Sequence, residues 1–175
     1  GLLVRPHPLD TTDYSSAASD TVIIDEYGSI RSTSIEKALK SWTPDPDNIQ
    51  HLAKSLMYAI VNINVASTIS IESALLGTPT INICYNTERC FQTEFGKIER
   101  FYKYTHYRPL IENDLVLLAT SEREFEELLL STVSLRDFES VNFKFSNTLV
   151  GNNFGESVSA TSNVIRDLIA TKHSL

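Results

Sequence analysis

The chain has 175 residues, with 22 acidic and 15 basic side chains and a formal net charge of −7 at pH 7. That balance argues against sequence-independent binding to DNA or RNA, which runs on clustered Lys and Arg. Apolar residues make up 42% and charged residues 21%, the composition of a globular chain that buries about two-thirds of its unfolded surface without a disulfide or metal staple. Cys84 and Cys90 are too few for a disulfide framework, and they lack the C-x-x-C spacing of a zinc or redox site. No apolar run approaches the roughly 20 residues of a spanning helix, and no basic-then-apolar leader opens the chain, so a cytoplasmic setting is expected. The length suits one domain, residues 1–175, yet the sequence opens on Gly1 and runs at once into strand-like residues, as if cut from something longer.

In chain order, apolar runs alternate with helix-like stretches, the pattern of an α/β domain with a mostly parallel sheet. Leu2 to Val4 reads as a buried strand ended by Pro6 and Pro8. Thr21 to Asp25 is a second strand. Thr33 and Glu36 have capping-box spacing and open a short helix that Pro44 and Pro46 break. Asp47 with Gln50 opens the next helix, with Ile49, Leu52, Ala53, Leu56 and Met57 on one face. Ala59 to Val65 reads as a buried strand, and Ile69 to Leu76 as a helix closed by Gly77. Thr80 to Tyr85 and Leu115 to Ala119 are further strands. Ser121 and Glu124 cap a helix running to about Ser131. Glu156 to Lys172 closes the chain as a helix, with Val158, Val164, Ile165, Leu168 and Ile169 as its apolar face. Asn86 to Asn113 and Leu135 to Phe154 carry no clear pattern.

The segment with the most chemistry runs from Ile60 to Ile83. It places Ser67, Thr68 and Ser70 at the N-terminus of a helix, just past the C-terminal end of a strand, where open α/β sheets bind ligands. Backbone N–H groups and the helix dipole favour an anion there, phosphate above all, and the hydroxyls add donors. Glu72 lies one turn further in and would reach a sugar's hydroxyls instead. The same residues would also serve as an ordinary helix cap. In Val4-Arg5-Pro6-His7-Pro8 two prolines stiffen a turn that carries Arg5 and His7. Such a turn suits a diphosphate, or is a loop with a solvated Arg. His106 and Arg108 follow an aromatic stretch of Phe101, Tyr102 and Tyr104. Those rings are either core or stacking surfaces, most of them core, with His106 and Arg108 at a pocket rim.

Other chemistries lack their residues. His7, His51, His106 and His173 are scattered without metal-ligand spacing. The dinucleotide fingerprint, the P-loop and the hydrolase nucleophile elbow are all absent. Asp45, Asp47, Glu122, Glu124, Glu126 and Glu127 read as capping residues and a solvated helix face.

Val4-Arg5-Pro6-His7-Pro8, followed by Asn62, Ser67-Thr68, Ser70, Glu72, Gly77 and Pro79, resembles the C-terminal half of GT-B-fold enzymes. The nearest likeness is to glycosyltransferases of surface polysaccharide assembly, CDP-glycerol glycerophosphotransferases and non-hydrolysing UDP-N-acetylglucosamine 2-epimerases. The resemblance implies a Rossmann-like three-layer sandwich, one of two such domains facing across a cleft, that holds the nucleotide of an activated donor. It implies that His7 meets the donor's phosphates, that Ser67 and Thr68 are the hydroxyl pair at the phosphate, and that Glu72 holds the ribose. It implies a nucleoside diphosphate sugar as substrate and no separate cofactor, metal or nucleic acid. The partner it implies is an N-terminal domain of the same protein, which usually supplies the catalytic base. Any membrane association would be peripheral, through the full-length enzyme.

The chain departs from the pattern at Asn62 and Asn64, which stand where the family more often has an acidic residue. Nor does a strand and helix precede the His-Pro turn here, so an exposed apolar edge is expected on Leu2 to Val4. A nucleotide-sugar epimerase domain and a non-catalytic anion- or protein-binding module remain the alternatives, and the isolated chain is expected to turn over little.

Overall fold

The structure is a computed structural model. It describes residues 1–7, 10, 12–25, 46–86, 97–134 and 155–172, the side chains of 134 and 167–172 excepted. The helix expected after Thr33, the segment 135–154, Cys90 and His173 lie outside the described residues. The chain divides into two compact units, Gly1–Ser55 and Leu56–Leu175.

In the first unit, β1 (Leu2–Val4) pairs in parallel with β2 (Val22–Ile24), in the register Leu2↔Val22, Leu3↔Ile23, Val4↔Ile24. The Asp25 N–H extends the ladder by donating to the Val4 carbonyl at 2.8 Å. Between the strands the Asp10 carboxylate gathers the Thr12 N–H at 2.9 Å and the Tyr14 hydroxyl at 2.7 Å. These hydrogen bonds hold Asp10 below its ordinary pKa, the Tyr14 hydroxyl contributing most. Contrary to the buried strand read from the sequence, Leu2 is 50% and Leu3 45% exposed, and Ile23 on β2 is 62% exposed. A two-stranded ribbon of three-residue strands has too little surface to bury its own side chains.

The first helix, α1 (Pro46–Tyr58), begins one residue before the expected cap at Asp47. Proline suits a first helical position, since its fixed φ is already helical and its missing N–H would have no partner there. Asp47 sits in the first turn instead, where its charge favours the dipole. Of the expected apolar face, Leu56 is buried, while Ile49 and Met57 are exposed.

The second unit is built on a parallel three-stranded sheet of order β3-β4-β5: Asn62–Asn64, Thr80–Ile83 and Leu117–Ala119. Short α2 (Ile69–Leu75) crosses from β3 to β4 and packs on both. Its C-terminus is closed by Gly77 at φ +75°. The Thr78 N–H returns to the Ser73 carbonyl at 2.8 Å and the Gly77 N–H to the Ala74 carbonyl at 3.3 Å, which satisfies the last turn. Thr78 is itself buried, its hydroxyl donating to the Leu56 carbonyl at 2.7 Å.

A 3-10 turn over Ile98–Lys103 and the short helix α3 (Arg108–Glu112) lead into β5. These elements and the residues flanking them supply the core: Tyr102, Tyr107, Leu110, Leu115 and Val116, packed by Ala66, Ile71 and Leu118. Helix α4 (Glu122–Ser134) packs on β4 and β5. Its start matches the expected cap. Ser121 Oγ accepts the Glu124 N–H at 3.2 Å, and the Glu124 carboxylate reaches back to the Thr120 N–H at 2.7 Å. On α5 (Ser157–Lys172) the expected apolar face is open at Val158, Val164 and Ile165.

Two positions outside glycine's usual ground rules set opposite expectations. Ala66 holds φ +41°, a left-handed conformation that costs a Cβ-bearing residue about 1–2 kcal/mol, whereas Gly77 adopts φ +75° without that cost. Ala66→Gly should therefore raise unfolding stability, by up to about 1 kcal/mol after the added chain entropy of glycine. Gly77→Ala should lower it by about 1 kcal/mol, although a Cβ there would meet nothing within 4 Å. Urea unfolding of both variants checks the two signs.

Candidate functional site

The local sequence Asn62-Ile63-Asn64 alternates across the strand, so both asparagines share one face of β3. Thr80 and Asn82 stand beside them on β4, in the register Asn62↔Thr80 and Asn64↔Asn82. Ser70 and Ser73, three apart on α2, lie on one helical face. Helix α2 therefore meets the sheet through a polar seam. Asn62 Nδ2 donates to Ser73 Oγ at 2.8 Å. One step along, Asn64 Nδ2 donates to Ser70 Oγ at 3.1 Å, and Asn82 Nδ2 donates to Asn64 Oδ1 at 2.9 Å. Tyr107 Oη lies 2.6 Å from Asn82 Oδ1 and 2.9 Å from Ser70 Oγ. Its single proton serves the shorter contact, to Asn82, and the Ser70 hydroxyl has Asn64 Oδ1 within reach as an acceptor at 3.3 Å. Asn64, Ser70, Tyr107 and Asn82 thus close a ring of hydrogen bonds.

This seam holds the turn between β3 and α2. Asn64 Oδ1 also accepts the Ser67 N–H at 3.1 Å, directly after left-handed Ala66. Tyr102 Oη donates to the Ile83 carbonyl at 2.7 Å and lies against the Ala66 backbone. Burial pushes both tyrosine hydroxyls above their ordinary pKa, Tyr102 strongly so, and they act as neutral donors. The Ser70 and Ile71 N–H groups bond to the Ser67 and Thr68 carbonyls at 3.0 and 2.8 Å, and the Ile69 N–H makes only a long 3.4 Å contact with Ser67 Oγ. Thr68 is exposed, and its side chain makes no capping bond although it occupies the N-cap.

Ser67, Thr68, Ser70 and Glu72 are brought together on this one turn at the C-terminal end of a parallel strand. Their roles differ from the expectation. Ser70 was expected among the anion's donors, but its side chain is fully buried and its hydroxyl belongs to the internal ring. It braces the turn and does not line it. Ser67 is half-buried and Thr68 faces outward. Glu72 keeps an exposed surface, yet partial desolvation against the unit raises its carboxyl above the ordinary range. His106 belongs to the same unit, is exposed, and stacks on Tyr104. Of the aromatic stretch, Tyr102 is core as expected, while Tyr104 is 45% exposed.

Arg5 and His7 belong to the first unit. Arg5 Nε lies 3.4 Å from Asp25 Oδ2, and His51 Nε2 lies 3.1 Å from the same oxygen. Asp25 is buried, so the Arg5 guanidinium expected on a diphosphate faces an internal carboxylate. His7 is exposed, and its carbonyl accepts the Asp10 N–H at 2.8 Å. The Asp25–His51–Arg5 cluster was not foreseen, because its members are separated by about twenty residues or more, and no periodicity links them.

Among the described residues no group of His, Cys, Asp and Glu is placed to hold a metal ion, and no helix is long and apolar enough to cross a membrane. Burial raises the Cys84 thiol above its usual range, with Glu99 and Glu124 adding to the effect. Comparison with protein-family models, curated proteins and solved structures finds no match to this chain. The chain has an α/β, Rossmann-like fold with parallel sheets flanked by helices.

Tyr107→Phe should destabilise the chain by about 1–3 kcal/mol, because Asn82 Oδ1 would be left buried without its donor. Chemical denaturation measures it, and a loss under about 0.5 kcal/mol would mean the ring relaxes around water. The Glu72 carboxyl holds its proton more tightly folded than unfolded. Its contribution to stability is therefore full below the ordinary value of 4.5 and is lost as pH rises through the elevated folded value. Glu72→Gln should melt at a higher temperature than the parent above about pH 5, with the gap closing below about pH 4.

Proposed function

We propose that this chain is the donor-nucleotide-binding domain of a GT-B-type glycosyltransferase acting in cell-surface glycan synthesis. The observation that carries the reading is the β3–α2 turn. It stands at the C-terminal end of a parallel strand, where α/β sheets take ligands. It carries an exposed Thr68 and a half-buried Ser67, and the seam beneath it fixes its backbone. The motif likeness around Ser67-Thr68, Glu72, Gly77 and Pro79 supports the same reading.

In this reading the donor's diphosphate lies against Ser67 and Thr68. The Ile69 N–H, now in a long contact with Ser67 Oγ, exchanges that contact for a phosphate oxygen. Stabilising the departing diphosphate is the main electrostatic need of such a transfer, and fixed donors meet it without reorganisation at the moment of reaction. Glu72, one turn along, accepts the ribose hydroxyls. A raised carboxyl pKa suits that role only once the residue is ionised, so donor binding strengthens as pH rises through the Glu72 value. Ser70 is a positioning residue beneath the turn. The N-terminal domain of the same protein supplies the acceptor site and the catalytic base.

Calorimetric titration with UDP, CDP, GDP and inorganic diphosphate tests this. At least one nucleotide should saturate at millimolar concentration or below. Glu72→Ala should weaken that nucleotide about tenfold, the size of a lost charged hydrogen bond, and leave diphosphate unchanged. No saturable binding by any nucleotide would overturn the reading, and equal losses for nucleotide and diphosphate would remove Glu72 from the ribose.

A further inference from the structure

A second arrangement in the same unit lies outside that turn. Tyr102 and Tyr107 are buried, and both tie the segment 98–108 to the sheet. Tyr102 reaches the Ile83 carbonyl, and Tyr107 reaches Ser70 and Asn82. Between these anchors the chain displays rings instead of burying them. The Tyr104 and His106 rings stack with centroids 5.7 Å apart and planes 26° apart. Phe101 meets Tyr104 edge-on at 6.0 Å, and the Arg100 guanidinium lies 4.5 Å above the Phe101 ring.

Tyr104 is 45% exposed, and His106 and Lys103 are exposed as well. An ordered stack of rings left open to water forgoes the burial that would ordinarily hold aromatic side chains in place. The segment is also locally basic in an acidic chain: Lys97, Arg100 and Lys103 stand against Glu99 between residues 97 and 103, while Arg108 pairs with Glu112 at 2.9 Å. Stacked planar rings beside cations match one ligand chemistry, a planar heteroaromatic base carrying phosphate. A bare carbohydrate would lack the charge those cations complement.

We infer that Tyr104 and His106 form a stacking platform for the base of a mononucleotide, with Arg100 and Lys103 drawing in its phosphate charge. The inference rests on the nucleotide-donor reading for the nature of the ligand. Its place in the fold supports the connection, since the Tyr102 phenol two residues before the platform lies against Ala66, the residue preceding Ser67. Because the two rings are already stacked on each other, a base adds to them with little side-chain ordering.

The test is an NMR titration of the whole chain with UMP, CMP, GMP and inorganic diphosphate, on the parent and on Tyr104→Ala and Tyr104→Phe. At least one nucleotide should bind with its base protons moved upfield by ring currents. Tyr104→Ala should weaken it about tenfold and abolish that shift, Tyr104→Phe should retain both, and diphosphate affinity should be equal in all three. Nucleotide binding that Tyr104→Ala leaves unchanged, or weakens no more than diphosphate, overturns the platform while the donor reading stands. Diphosphate binding without nucleotide binding also overturns it. Absence of binding by every ligand overturns the platform and the donor reading together.

Discussion

A buried amide or hydroxyl must find a partner, and in the second unit that requirement is concentrated between one short helix and two strands. Asn64, Ser70, Asn82 and Tyr107 satisfy one another in a closed ring, with Asn62, Ser73 and Thr80 forming a second polar layer beside it. An apolar interface of the same shape would hold α2 by burial alone and tolerate sliding. A ring of directed hydrogen bonds accepts one register, because a shift of a single residue would leave several buried donors and acceptors unpaired. The placement of the β3–α2 turn follows from that register.

The seam also explains why backbone strain is tolerated beside it. Ala66 sits at φ +41°, and its neighbours are held on both sides. Asn64 Oδ1 takes the Ser67 N–H, and the Tyr102 phenol lies against the Ala66 backbone. Strained backbone persists where the surroundings over-determine it, and such places are often where ligands are held. Tyr107, which closes the seam, and Tyr102, which lies against Ala66, also anchor the segment bearing Tyr104 and His106. The ordering of the turn and of the exposed rings thus has one source. In the first unit Asp25 plays a comparable part, as a buried carboxylate that fixes Arg5 and His51 about itself.

Much of the element pattern was legible because it is local. Gly77 after a helix signals a left-handed stop, and the observed closure through Thr78 and Ser73 follows from backbone geometry alone. Ser121 and Glu124 likewise specify their cap within four residues. Burial was less legible. Ala59 to Val65 is apolar enough to suggest a strand buried on both faces, yet β3 is three residues long and turns its two asparagines inward, while Val65 is 41% exposed. The signal was present in the period-two spacing of Asn62 and Asn64, of Thr80 and Asn82, and the three-residue spacing of Ser70 and Ser73. It gains meaning only when the three pairs are placed face to face.

By itself the sequence determined the α/β class, the strand–turn–helix unit at Ser67 to Gly77 and the set of hydroxyl and acidic residues on it, because capping, turn chemistry and alternation act over a few residues. The tertiary structure decided which of those residues face inward. Ser70 left the candidate contacts for the interior because Tyr107, thirty-seven residues away, came to lie on it. Arg5 turned to Asp25 because parallel pairing of β1 with β2 sets the carboxylate just past the end of its own strand. Exposure and hydrogen-bond partnership are settled by contacts between distant parts of the chain, and no local pattern encodes them.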